Sequence, residues 1–235
     1  MARQRVGRSL AEDAYTAIRE RVLLGDLAPG TRLVLQDLSK ELGVSLSVVR
    51  EAVTRLATER LLVATPQHGF VVQPLSLGDL ADITWTRVQI ETIALREAIK
   101  NGDLAWEVNL VAAHHALQST DPMGPDGRIS PAWGTVHSRF HAALTAGANR
   151  PWLSNIRQQL FDASELYRYW SASRDVLAGP SRRIKAVQRE HKALVDAAIS
   201  RDSKRACELI AHHFESTAAI LAKNPDATSQ NQSDA

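Results

Sequence analysis

Leu35–Val72 reads LQDLSKELGVSLSVVREAVTRLATERLLVATPQHGFVV, and each part of it obeys a local rule. Leu35, Leu38 and Leu42 fall on one face of a short helix. Gly43 follows where a helix stops, because glycine enters the left-handed region without steric cost. Val44 fills the angle behind it, and Ser45 and Ser47 are both candidate N-caps of the next helix. That helix has an apolar stripe of Val49, Ala52, Val53, Leu56 and Ala57, with Ser47, Arg50, Thr54 and Arg55 opposite. Leu62–Ala64 and Phe70–Val72 then read as short strands joined by Thr65–Gly69, where Pro66 and Gly69 favour a turn. Helix, tight turn, helix and hairpin in that order predict a winged helix-turn-helix, whose second helix enters the DNA major groove. An ordinary helical hairpin followed by a β-hairpin is the alternative.

Charge agrees with this. The 235-residue chain has a formal net charge of only +2. Residues 1–74 carry ten Lys/Arg against eight Asp/Glu, and the rest carries eighteen of each. The surplus therefore lies in the half that would meet phosphate, with Arg3, Arg5 and Arg8 as an acid-free arm. Binding through phosphates would be strongly salt-dependent. The one cysteine, Cys207, excludes an internal disulfide, fits a reducing cytoplasm and reads as a core residue. No apolar run is long enough to span a membrane. The N-terminal arginines lack the apolar segment of a secretion signal, so a cytoplasmic protein is expected.

After Val72 the pattern turns helical. Helices are predicted at 77–100, 103–119, 131–147, 151–173, 180–200 and 202–222, with a loop at Asp121–Gly127. Residues 224–235 are polar and without an apolar face, which predicts disorder. The expected fold class is mainly α: a winged helix-turn-helix over 1–74, an all-helical bundle over 77–223, and a tail.

The histidines of the bundle carry chemistry. His137 and His141 are four residues apart, so they stack on one helix face, with Trp133 and Leu144. His191 shares a stripe with Val187 and Leu194, and His213 shares one with Leu209 and Ile210. Three helices thus each aim imidazole at the core. A buried histidine without a partner is costly, and several aimed at one interior can remove that cost by ligating one metal. Borderline-soft divalent ions favour imidazole, and Zn²⁺ is the commonest occupant, with Ni²⁺ and Cu²⁺ as alternatives. Individually hydrogen-bonded histidines are the competing account. His212 lies about 100° around its helix from His213 and is left out. His114 and His115 are expected at the surface or at a pocket edge.

From Ser9 to Val72 the chain resembles the GntR family of bacterial transcription regulators, through LAEDAYTAIRERVLLGDLAPGTRL, LSKELGVS, VREAVTRLATERLL and HGFVV. The resemblance implies DNA contacts from Ser45, Ser47, Arg50, His68 and Gly69. Leu46 and Gln36 stand where members often have Arg, which removes two potential contacts and points to a different operator.

The layout resembles the FadR subfamily, whose C-terminal FCD-type domain binds an effector and forms a homodimer. Metal-binding members have an Asp-x-x-x-His helix and two later histidines. His141, His191 and His213 match, and His137 stands at the Asp position, which makes the set neutral. Arg87, with Glu91 four residues on, matches a family pattern implied to hold an effector anion; a helical ion pair is the plainer account. Tyr167, Arg168 and Tyr169 are further candidate anion donors. The segment NRPWLSNIRQQLFDASELYRYW and the final RDSKRACELIAHH are most similar to the dicarboxylate- or hydroxy-diacid-sensing branch.

The resemblance thus implies a homodimeric repressor on a palindromic operator, released by a small carboxylate. A metalloenzyme built on the four histidines is the second account. Ser138, Arg139 and Phe140 separate His137 from His141, so the glutamate of a zinc-protease HExxH is missing. A regulator with a purely structural metal is the third.

Overall fold

The computed structural model describes residues 9–65, 69–125, 129–172 and 180–222, with backbone alone for 169–172 and 180–183. The expected basic arm, residues 224–235 for which disorder is expected, His68 and the Tyr169 side chain lie outside what is described. The chain divides into two compact units, Met1–Leu75 and Ser76–Ala235.

The first unit begins with α1 (Leu10–Leu23), capped by the Ser9 hydroxyl, which accepts from the Glu12 amide at 3.1 Å. Ala14, Ile18 and Val22 recur every four residues, and all are buried. α2 (Leu35–Leu42) buries Leu38 and ends at Gly43, whose φ of 64° is the left-handed stop. α3 (Leu46–Thr58) starts from Ser45 as N-cap and buries Val49, Ala52, Val53 and Leu56. β2 (Leu62–Thr65) pairs antiparallel with β3 (Gly69–Val72), Leu62 opposite Val72.

A strand absent from the sequence expectation completes the sheet. β1 (Arg32–Leu33) pairs antiparallel with β3, giving the order β1-β3-β2. Two residues are too few to show a period of two, so only the pairing reveals it. Arg55 is exposed, as expected of its face, and still makes contacts that its spacing does not announce. Its Nη1 lies 2.7 Å from Glu12, its Nε 3.4 Å from Glu59, and its guanidinium 3.7 Å above the Tyr15 ring. Tyr15 donates to Glu59 at 2.8 Å, and burial, with Glu59 beside it, pushes its pKa up to about 12. The cluster ties α1 to α3.

The second unit is helical throughout its named elements: α4 (Leu77–Asn101), α5 (Leu104–Gln118), α6 (Pro131–Ala146), α7 (Pro151–Ala172), α8 (Pro180–Ile199) and α9 (Ser203–Leu221). Ser76, Asp103, Ser130 and Asp202 cap α4, α5, α6 and α9 by accepting the amide three residues on. α4 packs against α6, α7 and α9, and the core includes Leu95, Leu110, Phe140, Leu144, Leu194 and Ile210. The Trp106 indole donates to the Ala143 carbonyl at 2.9 Å and locks α5 to α6. Cys207 is half-buried, its thiol 3.6 Å from the Thr92 carbonyl. Among the described residues no helix is long and apolar enough to cross a membrane.

Gly147 closes α6 against α4. A Cβ there would lie 2.9 Å from both the Ala98 carbonyl oxygen and the Gly102 Cα. Both are backbone atoms, so they yield only if the helices part. Gly147→Ala is expected to cost about 1–3 kcal/mol, lowering the urea midpoint with an unchanged slope. Gly78→Ala, facing open space, is the control and should be neutral or slightly stabilising.

Candidate metal centre

α6, α8 and α9 bring the four predicted histidines together. His137, His141, His191 and His213 are all buried, and one nitrogen from each lies within 4.8 Å of the others. His137 Nε2 and His141 Nε2 are 3.1 Å apart. The rings of His141 and His213 are stacked at 5.4 Å, and those of His191 and His213 lie 4.8 Å apart. Burial holds His137, His141 and His191 well below the usual imidazole range, and neighbouring cationic groups add to it. The three are therefore neutral, the form in which imidazole binds a metal.

The donor set fits a divalent ion. Nitrogens about 2.1 Å from one tetrahedral ion stand roughly 3.4 Å apart, close to the 3.1 Å of the His137–His141 pair. Without an ion, one of these two lone pairs must be met by the other ring's proton. His137 Nδ1, His141 Nδ1 and His191 Nε2 are buried with no hydrogen-bond partner among the described residues. Such atoms are rare in a folded core; those of His137 and His141 lie on the ring edge away from the facing Nε2 pair, which is the edge an ion would use. His213 Nδ1 donates to Glu190 at 2.7 Å, which makes Nε2 its lone-pair nitrogen.

Glu190 is the residue the sequence account leaves out. Its place beside His191 suggests an unrelated face, and only the packing of α8 on α9 carries it to His213. Of the other histidines, His114 is buried on the same cavity and packs on Phe140, whereas His115 and His212 are exposed.

A cavity opens above the cluster, bounded by Arg87, Arg168, Trp133 and all four histidines among others. Arg87 is buried; its Nη1 donates to Ser164 at 2.6 Å and its guanidinium lies 3.8 Å over the Phe214 ring. Glu91 is 3.5 Å from Arg87 and also accepts from Arg157 at 3.2 Å. One buried carboxylate thus serves two guanidiniums. Burial lowers the Arg87 pKa to about 10 despite Glu91, so it stays cationic at neutral pH. Arg168 lines the cavity, 5.0 Å over Trp133, with Nε donating to Glu165 at 2.8 Å.

Tyr167 requires a correction. It does not line the cavity; its hydroxyl donates to Asp79 at 2.6 Å at the start of α4. One position along a helix is a rotation of about 100°, which turns Tyr167 away from the face of Arg168. Burial, then the bond to Asp79, raises its pKa. In the first unit, Ser45, Ser47 and Arg50 are exposed at the start of α3, with the two serine hydroxyls 2.8 Å apart. Gly69 opens β3 with a φ of 82°.

The lowered histidine pKa values set a pH dependence. Below about 6.5 the unfolded chain takes up protons that the folded cluster refuses. The unfolded state then binds more protons, so stability falls as pH falls. Urea unfolding of the chelator-treated chain should show full stability at pH 7.5. Going below pH 6.5, loss should approach about 1.4 kcal/mol per pH unit for each such histidine. Stability unchanged down to pH 5.5 would contradict the neutral cluster.

Comparison with known proteins places this geometry in a family. Residues 10–72 match the model of bacterial regulatory proteins of the gntR family, and residues 82–216 match the FCD domain. The chain is 34% identical over 216 residues to the HTH-type transcriptional regulator BphR of Paraburkholderia xenovorans, covering 91% of this chain and 86% of that one. It is 29% identical over 209 residues to the HTH-type transcriptional repressor GlaR of Escherichia coli, covering 89% and 94%. The solved structure of E. coli McbR/YncC shares the fold, with a TM-score of 0.75 at 22% identity over 92% of this chain and 98% of that one. These relatives are transcription regulators, not enzymes, and both halves of this chain match their parts. A gntR-type helix-turn-helix that binds DNA, followed by an FCD domain that binds small-molecule effectors, makes the chain a member of the GntR family of transcriptional regulators.

Proposed function

We propose that this regulator is a cytoplasmic homodimeric repressor that leaves a palindromic operator when a small carboxylate metabolite, such as a dicarboxylate or hydroxy acid, binds beside a metal. The observation that carries the proposal is the convergence of four buried imidazoles on a cavity that also holds a buried arginine. His137, His141, His191 and His213 would hold the ion, with Zn²⁺ favoured and Ni²⁺ or Cu²⁺ as alternatives. Four neutral ligands leave the charge of a divalent ion uncompensated, and that charge would attract an anion. Arg87 supplies a second cationic group, and Arg168 a third that is bound to Glu165.

Ser45, Ser47 and Arg50 would meet base edges and phosphates from the exposed start of α3, with His68 and Gly69 at the wing. GlaR is named a repressor, which supports repression here. A ligand shifts such a switch only by its difference in affinity for the two arrangements.

Arg50→Ala should abolish the mobility shift of operator DNA and leave zinc binding intact; a normal shift would remove α3 from the DNA contact. His141→Ala separates a sensory metal from a structural one. A folded variant that binds DNA but no longer responds to zinc and carboxylate supports sensing. A variant unfolded at ordinary temperature supports a structural metal. Glu190→Gln, which loosens the His213 tautomer, should weaken zinc binding about 10–100-fold in a competitive chelator titration.

A further inference from the structure

The cavity above the histidines has two unlike ends. Its floor is polar: the four imidazoles and the Arg87 guanidinium. The rest of its wall is largely hydrocarbon, including Leu117, Ile129, Trp133, Val187 and Leu221 from α5, α6, α8, α9 and the segment before α6. A compact diacid would leave its second carboxylate against this wall. Among the described lining residues the other guanidinium, Arg168, is held by Glu165 and lies over Trp133. Arg87 has a carboxylate partner as well, Glu91 at 3.5 Å, and lies at the floor beside the imidazoles. The four imidazoles, the ion they would hold and Arg87 gather at the floor, where one anion can be met, whereas the wall above is mostly hydrocarbon.

We infer that the effector is a monocarboxylate with an apolar body of ring size, its carboxylate at Arg87 and the histidine cluster and its body against Trp133, Ile129 and Val187. The inference rests on the proposed metal-and-carboxylate function and narrows it, setting an apolar monocarboxylate in place of the dicarboxylate or hydroxy acid. Size agrees: the cavity volume is about 150 Å³, and an apolar cavity of roughly that volume takes up one benzene ring. Burying hydrocarbon against hydrocarbon adds affinity in proportion to area, so the body of the ligand, rather than a second charge, would set selectivity.

The test is calorimetric titration of the zinc-loaded full chain with 3-phenylpropanoate, succinate, acetate and the neutral 3-phenylpropanol. Phenylpropanoate should bind about 30-fold or more tighter than either succinate or acetate, from the area of one ring. Val187→Asn and Ile129→Asn should each narrow the preference for phenylpropanoate over acetate; two sites guard against one variant misfolding. Succinate binding as tightly as phenylpropanoate, or wall variants that leave the preference unchanged, would overturn the apolar-body inference while the carboxylate function stands. Phenylpropanol matching phenylpropanoate, or no carboxylate binding to the zinc form, would overturn the carboxylate function and the inference with it.

Discussion

Four imidazoles buried together are the constraint around which the second unit is organised. A lone buried histidine can find a backbone partner. Four within 4.8 Å compete for the same few acceptors, and burial keeps at least three of them neutral. Such a cluster is tolerable only where the surrounding helices fix each ring and some polar occupant meets the lone pairs. The packing supplies that rigidity. Phe140, Phe161 and Phe214 wall the rings, Trp133 stacks on His137 at 4.5 Å, and Glu190 grips His213 from behind.

The helices that carry these rings are positioned by devices distant in sequence. α4 lies against α6, α7 and α9, and Gly147 permits the close approach of α6 to α4. Arg87 on α4, Ser164 on α7 and Phe214 on α9 meet at one guanidinium. The chemistry of the cavity is therefore inseparable from the fold. A cation is kept dry at neutral pH because an aromatic face, a hydroxyl and a shared carboxylate surround it.

The first unit is legible locally. Gly43 adopts the left-handed stop, Ser45 caps α3, and the stripe from Val49 to Leu56 is the buried face. Each of these follows from steric or capping rules acting over four residues. β1 and the Arg55 cluster escape such rules because their partners are far along the chain. Leu33 pairs with Phe70, and Arg55 with Glu12. Nothing within four residues of either announces the contact.

The same division runs through the candidate site. By itself the sequence determined the helix periods, the caps and the inward stripes that carry His137, His141, His191 and His213, because helical geometry fixes which residues share a face. Tertiary structure alone decided that the three stripes meet at one point, that Glu190 reaches across to His213, and that Arg157 joins Arg87 on Glu91. It also decided that Tyr167 faces Asp79 rather than the cavity. The physical reason is range. Periodicity says which side of a helix is apolar. The rotation and crossing of one helix on another, set by side-chain interdigitation, say what that side touches.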